Sequence, residues 1–447
     1  MSLRRHRLGA FLGLFAVVAI VGAVVLTAPR RDVSSPATYV PSAACPSPHD
    51  ATPTPPAPAG WKSSQVNVSV PRTASRFDQL HGPVLAVSGG RLFVAGVGST
   101  GAAQVASSSD GLSWTPTQNV GEPYEFVPLA MTSDGKGGLY LASDTRSYHG
   151  SVTPQIWHSA DGASFSQASV DIIPATKLFP TPSLGVIPGP VVEIESLAMA
   201  DPRSSAAGTL VAFGYHFIAH ADRAAADVGL DAWYSADGVR WSHVSLPDSA
   251  GFDEVNGMMT TWAGGFIAIS WARASTYAVW LSADGANWSR SSDANIFDAS
   301  SISSLGDGIV ISGADTSGSL GSVPASWRSA DGRSWAKSLV AVNGQNVGFD
   351  YATGDGDRIV GLGVSNFDAY VACTGGYFPT APQLTSPTLW ASTDGNTWRQ
   401  AGSAPTYDRD QSAMTLFNGR VVIATSKPLL INGRWSYQTT ISIGDAP

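Results

Sequence analysis

The residues able to do chemistry are few and scattered. Glu193 and Glu195 stand two apart in a chain with only five glutamates. On a strand that spacing puts both carboxylates on one side, where a pair could serve glycoside chemistry; the competing reading is a solvated rim. His216, His220 and Asp222 fall in the stretch HFIAHAD. On a helix His216 and His220 could share a metal, but this stretch continues an expected strand, so ordinary loop histidines are expected and no metal site is assigned. Arg146, Tyr148 and His149, with Arg273, Tyr277, Tyr370 and Tyr377, offer guanidinium and ring surfaces. Such groups suit a carboxylated sugar or a peptide, and equally a plain rim. The two cysteines, Cys45 and Cys373, would form a disulfide in an oxidising compartment or stay as free thiols. No G-x-S-x-G elbow, H-E-x-x-H pair, phosphate-cradling glycine loop or cysteine cluster occurs. No cofactor is expected, and no catalytic set is assigned.

Whatever positions these residues is a repeat. The segment S-x-D-G-x-x-W recurs at Ser108–Trp114, Ser235–Trp241, Ser282–Trp288, Ser329–Trp335 and Ser392–Trp398, and a variant, Ser159–Phe165, ends in Phe. Its aspartates are Asp110, Asp161, Asp237, Asp284, Asp331 and Asp394. Five of the six copies carry a Trp two residues before the Ser: Trp157, Trp233, Trp280, Trp327 and Trp390. Asn432-Gly433-Arg434-Trp435 reads as a degenerate seventh copy. Asp-Gly closes a tight strand connection, and the carboxylate can accept backbone N–H groups of its own turn. These aspartates are therefore expected to be structural.

Before each copy lies an apolar stretch, a Gly/Asp/Asn-rich turn and a second apolar stretch: Val84–Val97, Leu129–Ala142, Leu197–Phe213, Met258–Ser270, Ile302–Ser312, Tyr351–Val364 and Met414–Ala424. Each unit thus reads as strands A, B, C and D, with the Asp-Gly turn between C and D. Four antiparallel strands repeated seven times predict an all-β fold, a seven-bladed β-propeller over 61–447. A sandwich array would need about 100 residues per unit, more than these spacings give. Either Trp61–Val68 or Trp435–Ile443 could supply strand D of the last blade.

The S-x-D-G-x-x-W segments resemble the Asp-box, or bacterial neuraminidase, repeat over Val84 to about Ser442. They depart from its commonest form, S-x-D-x-G-x-x-W, in that Asp and Gly are adjacent. The resemblance implies propeller blades. It leaves activity open, because sialidases, other glycosidases, sorting receptors and photosystem assembly factors share the repeat. A sialidase would need an arginine cluster, a Tyr/Glu nucleophile pair and an acid Asp. Its F/Y-R-I-P signature is missing; the nearest stretch is Val70-Pro71-Arg72-Thr73.

Blade topology puts the A–B and C–D turns on one face and the B–C and D–A connections on the opposite one. The long insertions, 143–155, 166–196, 214–231 and 365–387, are all B–C or D–A. Long loops in compact domains commonly carry function, so that face is the expected site. Its candidate ligand-binding residues are Arg146, Tyr148, His149, Glu193, Glu195, His216, Arg273 and Tyr377.

The amino terminus adds an address. Residues 8–28 carry no charge and are long enough, at ~1.5 Å per residue, to span a bilayer as a transmembrane helix. Arg4, Arg5 and Arg7 outweigh Arg30 and Arg31, so 1–7 is expected in the cytoplasm and the remainder outside. A cleaved signal peptide is the alternative, giving a secreted protein. Residues 29–60, rich in Pro, Ala and Thr, form an expected linker.

Composition agrees with an exported β-protein. Charged residues are 13% of the chain, and Asp (29) and Arg (21) far exceed Glu (5) and Lys (5). That bias favours turns over helices. A net charge of −8 argues against nucleic acid as the main partner. Arg over Lys with abundant Gly and Ala suggests a bacterium. The expected role is a membrane-anchored module binding a protein or glycan at the cell envelope. The alternatives are a sialidase-like glycoside hydrolase and an envelope-protein assembly factor.

Overall fold

The computed structural model describes residues 58–66, 68, 83–98, 102–121, 127–144, 154–171, 192–218, 227–249, 257–272, 276–291, 296, 298–315, 323–342, 345–365, 387–407, 412–431 and 434–447. The basic tail 1–7, the apolar segment 8–28, nearly all of the linker and both cysteines lie outside them. Among the described residues every regular element is a strand.

Seven antiparallel sheets follow one another along the chain. Blade 1 is Val84–Ser88, Arg91–Val97, Ala103–Ser108 and Thr115–Val120. Blade 2 is Val127–Ser133, Leu139–Asp144, Gln155–Ser159 and Ser166–Gln167. Blade 3 is Val192–Met199, Leu210–Ile218, Asp227–Ser235 and Arg240–Ser245. Blade 4 is Met258–Trp262, Gly265–Ala272, Thr276–Ser282 and Ser289–Arg290. Blade 5 is Ala299–Leu305, Gly308–Asp315, Val323–Ser329 and Ala336–Leu339. Blade 6 is Gln345–Gly354, Ile359–Ser365, Pro387–Ser392 and Arg399–Ser403. The strands A of successive blades touch all the way round, and the last touches the first, so the sheets close into a ring.

Blade 7 decides how the ring closes. Ser412–Phe417, Arg420–Ile431 and Arg434–Asp445 are its strands A, B and C. Lys62–Val66 pairs antiparallel with Arg434–Asp445, from Lys62↔Ile443 to Val66↔Thr439, and is strand D. The amino-terminal strand therefore closes the ring, and Trp435–Ile443 belongs to strand C. This corrects the seventh repeat: strands B and C pair out to Ile431↔Arg434, so Asn432-Gly433 falls between B and C in the chain and not between C and D. In blade 7 strands C and D come from opposite parts of the sequence, so no Asp-Gly turn joins them.

Two blades exceed four strands. Ser169–Val170, from the connection leaving blade 2, runs parallel to strand D of blade 3, and Ala341–Val342 pairs with strand A of blade 6. The first covers an outer edge that would otherwise expose unpaired N–H and C=O groups.

The apolar core is distributed. Buried side chains form clusters, one between each pair of neighbouring blades. This follows from strands such as Gly308–Asp315, buried throughout because both sheet faces meet a neighbour. The tryptophan before each repeat sits in these layers: Trp233, Trp280, Trp327 and Trp390 are at most 2% exposed. The indole N–H of Trp233 donates to the carbonyl of Asp171 and that of Trp280 to Pro247, each on the connection just before its own blade. Trp233 and Trp280 thus join their blades to the chain that precedes them.

The Asp-Gly glycines join blades too. Gly111, Gly162, Gly238, Gly285, Gly332 and Gly395 all have φ between +68° and +83°. A Cβ on each would press into the preceding blade, on Ile443, Phe93, Tyr140, Val211, Leu281 and Val310 respectively, at 2.2–2.8 Å. Glycine is required there twice over, for the turn and for the approach of the next blade.

Candidate functional site

The Asp-Gly face is chemically closed. In the first copy Asp110 Oδ1 accepts the backbone N–H of Leu112 and of Ser113, each at 2.8 Å, and the Ser108 hydroxyl at 2.9 Å. Ser108 Oγ accepts the Gly111 N–H at 2.8 Å. Asp237, Asp284, Asp331 and Asp394 repeat this set. Asp161 accepts from Ala163 and Ser164 in the same way. The N–H donors of Ser113 and Leu112 hold the Asp110 carboxyl well below the usual range. At Asp394 burial pushes the other way, yet the Thr397 and Asn396 N–H groups bring it down to about 2. A carboxylate already bound to its own turn is a poor acid or base.

The A–B turns on this face also link blades. Ser133 Oγ donates to Val87 O between blades 2 and 1. Arg203, in the long A–B turn of blade 3, binds Asp201 in its own turn and reaches Asp307 at 2.7 Å and Gly306 O at 3.0 Å in blade 5. Gly306 N donates to Gly356 O in blade 6, and Arg358 donates to the Pro447 carbonyl in blade 7.

The opposite face is where the described strands flanking every long insertion end: Asp144 and Gln155, Val170 and Val192, Ile218 and Asp227, Ser365 and Pro387. At this end of the inner strands one irregularity recurs. Strand A of blades 2, 3, 5 and 6 has a bulge at the same rung, one residue beyond the strand-B partner of each blade's tryptophan. The extra residues are Leu129, Glu195, Ser300 and Asp350. Bulges next to sites re-aim a side chain. Glu195 accepts the Gly257 N–H of the neighbouring blade at 2.6 Å. Asp350 accepts the Tyr407 hydroxyl, from the connection into blade 7, and the Tyr351 and Tyr407 rings meet edge-on at 6.0 Å.

The sequence-level candidates fare unevenly. The period of two expected across Glu193 and Glu195 is broken: the bulge between Ile194 and Ser196 inserts Glu195 as an extra residue. Glu195 is half-buried and bound to backbone, unlike a solvated rim group. His216 is not a rim residue. It is 4% exposed and bonds Asp231 through Nδ1. Tyr277 is 3% exposed, with its hydroxyl donating to Ala299 O, and belongs to the core. Arg146, Tyr148, His149, His220, Asp222, Arg273, Tyr370 and Tyr377 lie outside the described residues. Among the described residues no group of His, Cys, Asp and Glu has the arrangement of a metal site. None of the inner strands A contains an arginine; Arg91, Arg203, Arg240, Arg333, Arg358 and Arg420 all sit in or beside turns of the Asp-Gly face. Asp231, His243, Asp350 and Tyr407 were missed. No motif marks them, and only the bulge and the sheet register bring them to their partners.

No family model matches this chain, and no curated protein does. Solved structures do. The BP39L lectin from Burkholderia pseudomallei aligns with a TM-score of 0.52 at 11% identity, over 80% of this chain and 98% of the lectin. The polysaccharide lyase Uly1 aligns with a TM-score of 0.49 at 9% identity, over 86% of this chain and 99% of the lyase. The lectin confirms the propeller as a fold.

Proposed function

We propose that this chain is an exported propeller that binds a protein or glycan ligand through the face opposite its Asp-Gly turns. Residues 8–28 would hold it in a bacterial cytoplasmic membrane with the propeller outside; after signal cleavage it would be secreted. The observation that carries the reading is the asymmetry of the two faces. On one, the carboxylates and turns are consumed by hydrogen bonds within and between blades. On the other, the four long insertions leave the ring, and the inner strands bulge to place Glu195, Ser300 and Asp350 at one rung. A rigid ring presents several loops to one ligand at little ordering cost. That BP39L is a lectin is in keeping with a glycan ligand.

A glycoside hydrolase is the second reading, favoured by one observation: the Tyr407 phenol bonds a carboxylate at the inner end of this face. The finer classification as an Asp-box protein rests on the S-x-D-G-x-x-W segments. A glycan array together with a fluorogenic-glycoside screen on purified residues 58–447 separates the readings. Binding without turnover supports a lectin-like module. Turnover abolished by Tyr407→Phe would establish the hydrolase. Silence in both would leave a protein partner, to be sought by crosslinking on intact cells.

A further inference from the structure

Two strands of blade 7 outrun the other two. Strands B and C, Arg420–Ile431 and Arg434–Asp445, are 12 residues each and pair without a break from Arg420↔Asp445 to Ile431↔Arg434. Strand A accompanies strand B only as far as Ser412↔Thr425, and strand D accompanies strand C only as far as Val66↔Thr439. The rungs from Lys427↔Gln438 to Ile431↔Arg434 therefore have no third strand beside them among the described residues. At ~3.4 Å per residue they form an arm roughly 17 Å long. It leaves from the insertion-bearing end of the blade, where strand B ends and strand C begins. Its root is fixed. Ser426 and Thr439 are fully buried and bonded through their hydroxyls at 2.7 Å, and Gln438 Nε2 donates to Gln65 of strand D at 2.6 Å.

Register sorts the residues of the arm. Pro428, Leu430, Trp435 and Tyr437 share one side; Lys427, Leu429, Ile431, Arg434, Ser436 and Gln438 share the other. Both sides of the outer rungs thus carry large apolar residues, and the two aromatic residues stand two apart on one strand.

A two-stranded ribbon is marginal in water on its own, and a contiguous apolar tip calls for a contact. The charges indicate which one. From Gln411 to Gly444 the sequence has no Asp or Glu, in a chain with 34 acids and a net charge of −8. The cations of that stretch are Arg420, Lys427 and Arg434, and two of them belong to the arm. A surface that is negatively charged outside and apolar beneath meets both needs. A protein groove would cover one side of the ribbon and leave either Leu429 and Ile431 or Leu430 and Trp435 in water. A partner that added its own strand to the strand B edge would meet Pro428, which has no N–H to give. A bilayer surrounds both sides. Trp and Tyr favour the membrane–water boundary, and Lys and Arg reach from it to the phosphates. An arm of roughly 17 Å passes the headgroup layer while the ring stays in water. Its edges are unpaired among the described residues, so it stops in the interface, because hydrocarbon cannot satisfy them.

We propose that the outer rungs of blade 7 dip into the interface of an anionic lipid bilayer and hold the insertion-bearing face close to that surface. The contact is independent of residues 8–28 and of what the long insertions bind.

Residues 58–447 contain every described strand and close the ring without the apolar segment, so vesicle binding is measured on them. They should co-sediment with vesicles of phosphatidylglycerol and phosphatidylcholine, and more weakly with phosphatidylcholine alone. Leu430→Ser with Trp435→Ser should weaken binding by about a hundredfold or more. Lys427→Gln with Arg434→Gln should weaken it roughly thirtyfold on the anionic vesicles and leave the neutral ones unchanged. Leu339→Ser, which removes an apolar side chain 57% exposed on blade 5, should change nothing. All three variants should melt with the parent, since the arm lies beyond the four-stranded part of the blade. No binding to anionic vesicles, undiminished binding in the Leu430/Trp435 variant, or an equal loss in Leu339→Ser would overturn the proposal. So would a lower melting temperature of the arm variants, which would place the arm against the ring, or loss of a glycan or protein ligand with vesicle binding intact.

Discussion

Gly238→Ala isolates the second job of the Asp-Gly glycines. Gly238 and Gly135 have the same φ, +71°, and both lie in turns of the same face. Around Gly135 a Cβ would meet nothing within 4 Å. At Gly238 it would lie 2.2 Å from Cε1 of Tyr140 and 2.7 Å from its Cζ and Oη, in the neighbouring blade. Gly135→Ala therefore bears only the left-handed backbone cost, about 1–2 kcal/mol. Gly238→Ala bears that and an overpacking cost of about 1–3 kcal/mol more, because the ring is wedged between two sheets. The assay is the urea midpoint and the unfolding rate of both variants against the parent. Tyr140→Ala in the Gly238→Ala background should recover the overpacking part and lose its own ring contacts. If Gly238→Ala costs no more than Gly135→Ala, the Asp-Gly glycines do not act between blades, and their conservation of φ is the whole reason for them.

Other outcomes follow from the same geometry. The Asp-Gly carboxyls ionise more readily in the folded protein than in the unfolded chain. Their stabilisation is therefore complete above the ordinary carboxylate value near ~4 and drains away as pH falls through the folded values. Urea midpoints measured from neutral to acid pH should stay level and then drop, and Asp394→Asn, whose carboxyl sits at about 2, should show a shallower drop. Removing residues 58–66 should cost the ring its closing strand and leave an unpaired edge on Arg434–Asp445, read as a lower melting temperature and self-association on size exclusion. Trp61→Ala should act in the same direction but more mildly, because it removes the indole bond to Ser403 O at 2.9 Å and keeps the strand. Tyr407→Phe should cost about 1–2 kcal/mol by leaving Asp350 short of a donor, measured by denaturation, and on the binding reading should leave ligand capture intact.

Much of this was legible because the repeat is local. Asp followed by Gly sets a turn whose donors lie two and three residues away, so Asp110 or Asp284 needs nothing distant to explain it. Apolar runs such as Ile309-Val310-Ile311 announce a strand covered on both sides. Seven such units in a row leave a ring as the economical way to cover every sheet. The split between a closed face and an insertion-bearing face also follows from strand order alone.

Register and closure were different. Period-two reasoning placed Glu193 and Glu195 together, but a bulge inserts Glu195 as an extra residue, bound to the backbone of the neighbouring blade. His216 was expected as an ordinary loop histidine, yet it is buried against Asp231, fifteen residues away across a strand pair, because sheet neighbours are fixed by hydrogen-bond register and not by sequence spacing. The final seam had two candidate strands of similar pattern. Only the paired ladder Lys62–Val66 on Thr439–Ile443 chose between them, since strand identity depends on which edge remains unpaired once the other three strands have formed. The sequence by itself determined the blades, their turns and their number; the tertiary structure decided how the ends join, which polar groups meet, and where a buried charge finds its counterpart, because each of these is a contact between segments whose distance along the chain says nothing of their distance in space.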